Sequence, residues 1–111
     1  MRYVTDNMLN RLAKELPKAG IDCITAIQAI RGDNDSSKKI PDAKIFKFLL
    51  EKRYELRAKT NGLEEIVLIT SDKSLAKFCQ EFNVPFIYRG KPDTRKGFRD
   101  MTTKLIEKLQ T

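Results

Sequence analysis

The sequence predicts an α/β fold, a three-layer sandwich with a mainly parallel central sheet of about four strands. Short apolar runs alternate along the chain with longer segments of helical periodicity, as in proteins whose parallel sheet is covered by helices. Residues 65–70, EIVLIT, are rich in β-branched and aliphatic side chains, the composition of a strand buried on both faces. Because 111 residues suffice for one hydrophobic core but not for two, we expect a single domain over residues 1–111.

The first part of the chain contains two predicted strands, a helix and a loop. The strands are predicted at residues 2–5 and 21–25, the helix at residues 8–16 and the loop at residues 27–40. Asp6 or Asn7 can cap the helix, and Pro17 with Gly20 ends it. The loop is predicted from its run of Gly, Asp, Asn and Ser residues.

The second part alternates helices and strands. A long helix opens at Pro41 and Asp42 and closes at Asn61. A central strand follows at residues 65–70, and then a helix at 73–82 that is capped by Ser71 and Asp72. The chain continues with a last strand at 84–88, a basic turn at 89–92 and a basic amphipathic helix at about 98–110.

The charge of the chain is strongly positive and localised. There are 22 basic and 15 acidic residues, a formal net charge of +7. Residues 38–59 carry eight basic and three acidic side chains, and residues 89–108 carry seven and three. Such an excess suits a polyanion such as RNA or DNA, and a solvated, lysine-rich helix has the same composition. Composition leaves both interpretations open.

The absence of histidine excludes Ser-His and Cys-His catalytic groups and every histidine-containing zinc site. Cys23 and Cys79 form no CxxC pair, so we expect buried free thiols, with Cys79 on a helix face beside Leu75, Phe78 and Phe82. A disulfide would require an intracellular hyperthermophile. No stretch is apolar enough to span a membrane and the N-terminus has no export signal, so we expect a cytoplasmic protein without a membrane partner.

Three aspartates are expected at one edge of the sheet. Asp6 follows the first strand, Asp72 follows the central strand, and Asp42 opens the helix that returns from the same edge. Neighbouring parallel strands are only about 4.8 Å apart, so these carboxylates would repel one another unless they shared a cation. Oxygen ligands without histidine select Mg²⁺ or Mn²⁺ rather than Zn²⁺.

Each aspartate also has a simpler interpretation. Asp6, Asp42 and Asp72 all stand where helix N-caps stand, and a cap contributes about 1 kcal/mol without any catalysis. Asp33 and Asp35 could complete a metal shell or could be turn residues. Asp93 and Asp100 are weaker candidates because they lie among basic residues.

Four motifs in order resemble the PIN-like domains of small prokaryotic ribonuclease families. They are TDNML with RLA at residues 5–13, GID at 20–22, PD with Ile45 in the helix that follows, and LITSDK at 68–73. The resemblance covers about residues 2–90. It implies a PIN-like α/β fold and metal-dependent hydrolysis of RNA, with Asp6, Asp42 and Asp72 as the catalytic, metal-binding residues. The acidic residue that typical members place on a helix in the middle of the chain has no clear counterpart here.

A nuclease of this type would also need groups that hold the RNA. The candidates are Lys38, Lys39, Lys91, Arg95 and Lys96 for the phosphates, with Tyr88 or Phe98 stacking a base. Thr70 and Ser71 could contact a phosphate or a metal-bound water, or could be helix caps. A protein inhibitor of the antitoxin kind and a homodimer are both compatible with the sequence.

Two other functions share these features. A catalytically silent PIN-like module would bind nucleic acid or a protein partner and keep the aspartates as caps. A receiver-like phosphoacceptor module also gathers aspartates and a lysine at a strand edge, but it normally needs paired acids after the first strand, where this chain has Asp6 and Asn7. We therefore rank the receiver-like module low.

Overall fold

The structure is a computed structural model that describes residues 1–32, 39–90 and 92–110. Its strands β1 to β4 are Arg2–Thr5, Cys23–Thr25, Ile66–Thr70 and Phe86–Tyr88. Its helices α1 to α5 are Leu12–Glu15, Ala26–Arg31, Asp42–Thr60, Lys73–Glu81 and Arg95–Gln110. Two 3₁₀ turns, Asn7–Leu9 and Pro17–Ala19, flank α1.

The four strands form one parallel sheet in the order β2-β1-β3-β4. In the register of β1 and β3, Tyr3 lies opposite Val67 and Thr5 lies opposite Ile69. All five residues of β3 are buried, as its continuous apolar composition predicts for a central strand. The predicted α/β class with a four-stranded parallel sheet between helices is confirmed.

Helices cover both faces of the sheet. Side chains alternate across a strand, so Val4, Ile66 and Leu68 face one apolar cluster and Tyr3, Val67 and Ile69 face the other. The first cluster is completed from α2, α3 and α4, and the second from α1 and α5. These two cores make the three-layer sandwich.

Two predicted elements in the first part of the chain are wrong. The helix over residues 8–16 is broken into the turn Asn7–Leu9 and the single turn of α1. The loop prediction over 27–40 missed α2, which begins because the Thr25 side chain accepts a hydrogen bond of 3.0 Å from the Gln28 amide. Gly32, at φ 78°, ends this helix in the left-handed region that glycine favours. Residues 33–38, including Asp33 and Asp35, lie outside the described residues.

The last two elements begin at other residues than predicted. Strand β4 starts at Phe86 rather than at 84, since Pro85 has no amide hydrogen for the sheet. Helix α5 begins at Arg95 rather than at Phe98, because the Thr94 hydroxyl accepts a hydrogen bond of 3.0 Å from the Gly97 amide and stabilises an earlier first turn. Arg95 therefore belongs to the helix and not to the preceding turn.

Both cysteines are buried free thiols, as predicted. Burial raises the pKa of Cys79 to about 11, and burial together with the negative charge of Asp22 raises the pKa of Cys23 to about 12. The expectation that Phe78 and Phe82 share the buried face of Cys79 is wrong, because both rings are about half exposed and lie against Phe46 of α3.

The helices were also compared with the dimensions of a lipid bilayer. Across residues 1–32, 39–90 and 92–110, none is both long enough and apolar enough to cross one. The longest, α3, has 19 residues and carries charged side chains on several sides.

Candidate functional site

Asp6 lies directly after β1 and is almost completely buried, with 3% of its surface exposed. Its amide donates a hydrogen bond of 3.2 Å to the Ile69 carbonyl, which continues the pairing of β1 with β3. Its carboxylate atom Oδ2 accepts a hydrogen bond from the Thr70 hydroxyl and another, of 3.2 Å, from the Ser71 amide. The end of β3 thus supplies the donors that a buried carboxylate requires.

Asp72 is the N-cap of α4. Its atom Oδ1 accepts hydrogen bonds from the amides of Ser74 and Leu75, at 2.8 and 3.1 Å. Its own amide donates to the Thr70 hydroxyl oxygen at 3.0 Å. Thr70 therefore connects the carboxylate of Asp6 to the backbone of Asp72, a role that neither the capping nor the phosphate-binding interpretation of its hydroxyl predicted.

Asp42 is the first residue of α3 and does not cap it, because Pro41 occupies the N-cap position. The capping interpretation of Asp42 is therefore wrong. The pKa of its carboxyl group is raised by partial burial, by the charge of Asp72, by a hydrogen bond to the Asp72 side chain and by the charge of Asp6. Three chain segments thus bring Asp6, Asp42 and Asp72 together at the carboxyl edge of the sheet.

The position of Asp42 depends on a contact that the sequence did not indicate. The Asn7 side-chain amide donates a hydrogen bond of 2.8 Å to the Ile40 carbonyl, and the Ile40 amide returns one of 3.4 Å to the Asn7 side-chain oxygen. Asn7 follows Asp6, and Ile40 lies two residues before Asp42. The only local signal was the pair Asp6-Asn7, which we interpreted as a helix cap.

Two buried hydroxyl groups beside Asp6 have no hydrogen-bond partner among the described residues. They are Thr5 Oγ1, on the preceding residue, and Ser71 Oγ, whose backbone amide binds Asp6. Buried polar atoms are rarely left unpaired. Because side chains alternate along a strand, Thr5 follows the direction of Tyr3 and faces away from the Asp6 carboxylate.

The donor types fit Mg²⁺ or Mn²⁺, since they are carboxylate and hydroxyl oxygens only. Within the part of the chain that the structure describes, no three carboxylate or thiol side chains form a group that could hold a metal ion by themselves. Mg²⁺ commonly binds through one or two carboxylates and keeps several waters. Asp6, Asp42 and Asp72 are thus compatible with a hydrated cation held by one or two of their carboxylates, and not with a cage of three.

The described residues among the RNA-binding candidates lie in different segments of the chain. Lys39 is exposed near the start of α3, and Arg95 and Lys96 are exposed on the first turn of α5. Lys38 and Lys91 lie outside the described residues. Tyr88 is partly exposed at the end of β4, whereas Phe98 is partly buried against the core of α1 and α5.

The two basic regions differ in how their charges are compensated. On α3, each of five basic residues forms an ion pair with a glutamate: Lys47, Lys52, Arg53, Arg57 and Lys59. On α5, Arg95, Lys96 and Arg99 make no ion pair with a described residue. The first region is therefore largely a solvated face, and the second offers uncompensated positive charge.

Comparisons with known proteins found no matching family model, no matching curated protein and no matching solved structure. The resemblance to PIN-like domains therefore stays a prediction from the four motifs. Function must be argued from the arrangement of Asp6, Asp42 and Asp72 and from the charged surface around them.

Proposed function

We propose that this protein is a ribonuclease of the PIN-like type, which cleaves RNA phosphodiester bonds with a carboxylate-bound Mg²⁺ or Mn²⁺. One observation carries the proposal. Asp6, Asp42 and Asp72 come from three separate segments and meet at the carboxyl edge of a parallel sheet, where the pKa of Asp42 is raised partly by the other two. Ligands of such sheets bind at this edge.

The residues divide the chemistry between them. Asp6 and Asp72 would hold the cation, and Asp42 would either join them or accept a hydrogen bond from the attacking water. When bound, the cation makes water acidic enough to act at neutral pH and offsets negative charge on the phosphoryl group. Thr70 is a positioning residue, because its hydroxyl group binds both the Asp6 carboxylate and the Asp72 amide.

The surroundings of the aspartates support the same activity. The net charge of +7 attracts RNA, and the uncompensated positive side chains of α5 follow a strand that ends at the same edge of the sheet. This function would place the protein in the cytoplasm, where an antitoxin-like inhibitor or a second copy of the chain could regulate it.

A second candidate is a PIN-like module that binds nucleic acid or a protein without cutting. It is favoured by the structural use of the aspartates, since Asp72 caps α4 and Asp6 is satisfied by Thr70 and Ser71. Carboxylates kept only for these contacts would need no metal. The two candidates therefore differ in metal dependence.

The deciding experiment is a cleavage assay on labelled RNA, with Mn²⁺ or with EDTA, together with a thermal melt under both conditions. We expect cleavage and a raised Tm with Mn²⁺, and neither with EDTA. Asp72→Asn keeps a capping oxygen but removes a ligand charge, so it should abolish cleavage while preserving the fold. Asp100→Asn is the matched control, because Asp100 is exposed on α5 and makes no ion pair with a described residue. If the wild-type protein shows neither metal-dependent cleavage nor a metal-dependent shift of Tm, the nuclease is rejected and the non-cutting module is the remaining function.

A further inference from the structure

An open groove of about 640 Å³ runs between α5 and residues 7–15, which comprise the first 3₁₀ turn and α1 and are called the first helical segment below. Arg11 and Glu15 line it on one side, and Arg95, Phe98 and Arg99 line it on the other. A second depression of about 290 Å³ shares Arg11, Arg95 and Phe98 with it. The two depressions are therefore continuous around these three residues.

The groove is positively charged. Arg11, Arg95 and Arg99 make no ion pair with a described residue. Two carboxylates line the two depressions: Glu15, which is 3.4 Å from Lys18, and Asp93 in the second depression. Asp100 of the same helix lines a different depression, with Arg89 and Lys104. The helix thus directs its uncompensated arginines toward the groove and an acidic residue away from it.

Arg11 is positioned by an aromatic ring. Its guanidinium carbon lies 5.3 Å from the centroid of Phe98, within the range of a cation–π interaction. This contact holds the exposed Arg11 side chain against α5. A planar arginine of this kind suits bidentate recognition of a phosphate and also offers a surface on which a base can stack.

The groove starts at the residues that follow β1. Leu9 lines the second depression, and its amide donates a hydrogen bond of 3.3 Å to the Asp6 carbonyl. At the far end, the Gln110 side chain donates one of 2.7 Å to the Ala19 carbonyl. The first helical segment and α5 therefore run side by side away from the carboxyl edge, on the face of the sheet opposite to α3.

We propose that this groove binds the backbone of single-stranded RNA, with Arg11, Arg95 and Arg99 contacting phosphates; the assignment of RNA depends on the proposed function. Arginines along a groove that also holds an aromatic ring are how sequence-independent sites follow a single strand. A groove between two packed helices follows one backbone, whereas a duplex presents two backbones across a much wider surface. Neither Arg11 nor Arg99 is among the RNA-binding residues predicted from the sequence.

The test measures binding without catalysis. Fluorescence anisotropy with a labelled single-stranded RNA in EDTA gives Kd at several salt concentrations for the wild type, Arg11→Gln and Arg99→Gln. Because each variant loses one phosphate contact, we expect Kd to rise about fivefold and the slope of log K against log salt to fall by about 0.7. Lys104→Gln is the matched control, because it removes one charge from α5 outside the groove. Its Kd should change less than twofold.

Equal effects of Arg11→Gln, Arg99→Gln and Lys104→Gln on Kd would overturn the assignment of the groove as the RNA-binding site, since the protein would then attract RNA by net charge alone. Tighter binding of duplex RNA, or of a DNA strand of the same sequence, would overturn the assignment of single-stranded RNA. Circular dichroism melts of all variants confirm that they are folded. The binding assay contains no metal, so its outcome is independent of cleavage. Specific binding in the groove without cleavage in the Mn²⁺ assay would reject the nuclease and support the groove as an RNA-binding site. Cleavage without an effect of the arginine variants on binding would support the nuclease and reject the groove.

Discussion

The side chain of Asn7 and the backbone of Ile40 form a reciprocal pair of hydrogen bonds, 2.8 Å from the Asn7 amide to the Ile40 carbonyl and 3.4 Å in return. Asn7 lies at the edge of the sheet beside Asp6, and Ile40 is a buried residue just before α3. The pair fixes where α3 begins. It therefore positions Asp42 relative to Asp6 without touching either carboxylate.

Removing this pair should loosen the start of α3. We expect Asn7→Ala to lower the free energy of unfolding by about 1–2 kcal/mol, because the Ile40 carbonyl loses its donor in a partly buried place. In the Mn²⁺ titration followed by Tm, the variant should also need more metal for the same shift. Gln28→Ala, at an exposed position of α2, serves as the control. An unchanged metal requirement in Asn7→Ala would mean that Asp42 is positioned by other contacts.

The Thr70 hydroxyl group should be essential for stability. Thr70→Val keeps the shape but removes the donor to Asp6 and the acceptor of the Asp72 amide, so we expect a loss of about 2–3 kcal/mol of unfolding free energy. Thr70→Ser retains the hydroxyl group and should recover most of that loss. Urea denaturation of the three proteins in EDTA measures both effects. Valine and serine variants of equal stability would contradict the structural role of the hydroxyl.

Partial burial of Asp42, together with repulsion from Asp72 and Asp6, should make the metal-free protein less stable at neutral pH. The pKa of Asp42 is raised above its ordinary value of 3.8, so the folded state holds its proton more tightly than the unfolded state does. Stability therefore falls as pH rises through the interval between 3.8 and the folded pKa. Asp42→Asn should remove this fall, which gives it a higher urea midpoint than the wild type at neutral pH in EDTA and a shrinking advantage on acidification. A variant advantage that is constant with pH would reject the electrostatic cause.

The two thiols should be unreactive in the folded protein. With pKa values raised to about 12 for Cys23 and about 11 for Cys79, neither forms appreciable thiolate at mildly alkaline pH, and the thiolate is the nucleophile. We expect labelling by a thiol reagent at about pH 8 to be slow in buffer and fast in denaturant. Above the ordinary value of 9.0, the folded state retains protons that the unfolded state loses, so stability declines as pH rises. The Cys23→Ala, Cys79→Ala double variant should show a shallower decline. Rapid labelling of native protein would show that the thiols are accessible.

The sequence predicted the features that depend on composition and on strand direction. The buried run ending at Thr70 identified the central strand, and the meeting of parallel carboxyl ends brought Asp6 and Asp72 to one edge in advance. It missed α2, because one capping contact of Thr25 outweighs the loop-like residues that follow. The contact of Asn7 with Ile40 spans 33 residues and has no periodicity, so no local pattern could predict it.

The bond between the Thr70 hydroxyl and the Asp6 carboxylate joins residues 64 positions apart. During synthesis, Asp6 leaves the ribosome well before its donor is made, and a carboxylate cannot be buried cheaply without one. The first strand therefore reaches its final place only after β3 has emerged and paired with it. The three carboxylates therefore come together only after β3 has been made, and a nascent fragment that ends before β3 lacks the hydroxyl and amide donors of Asp6.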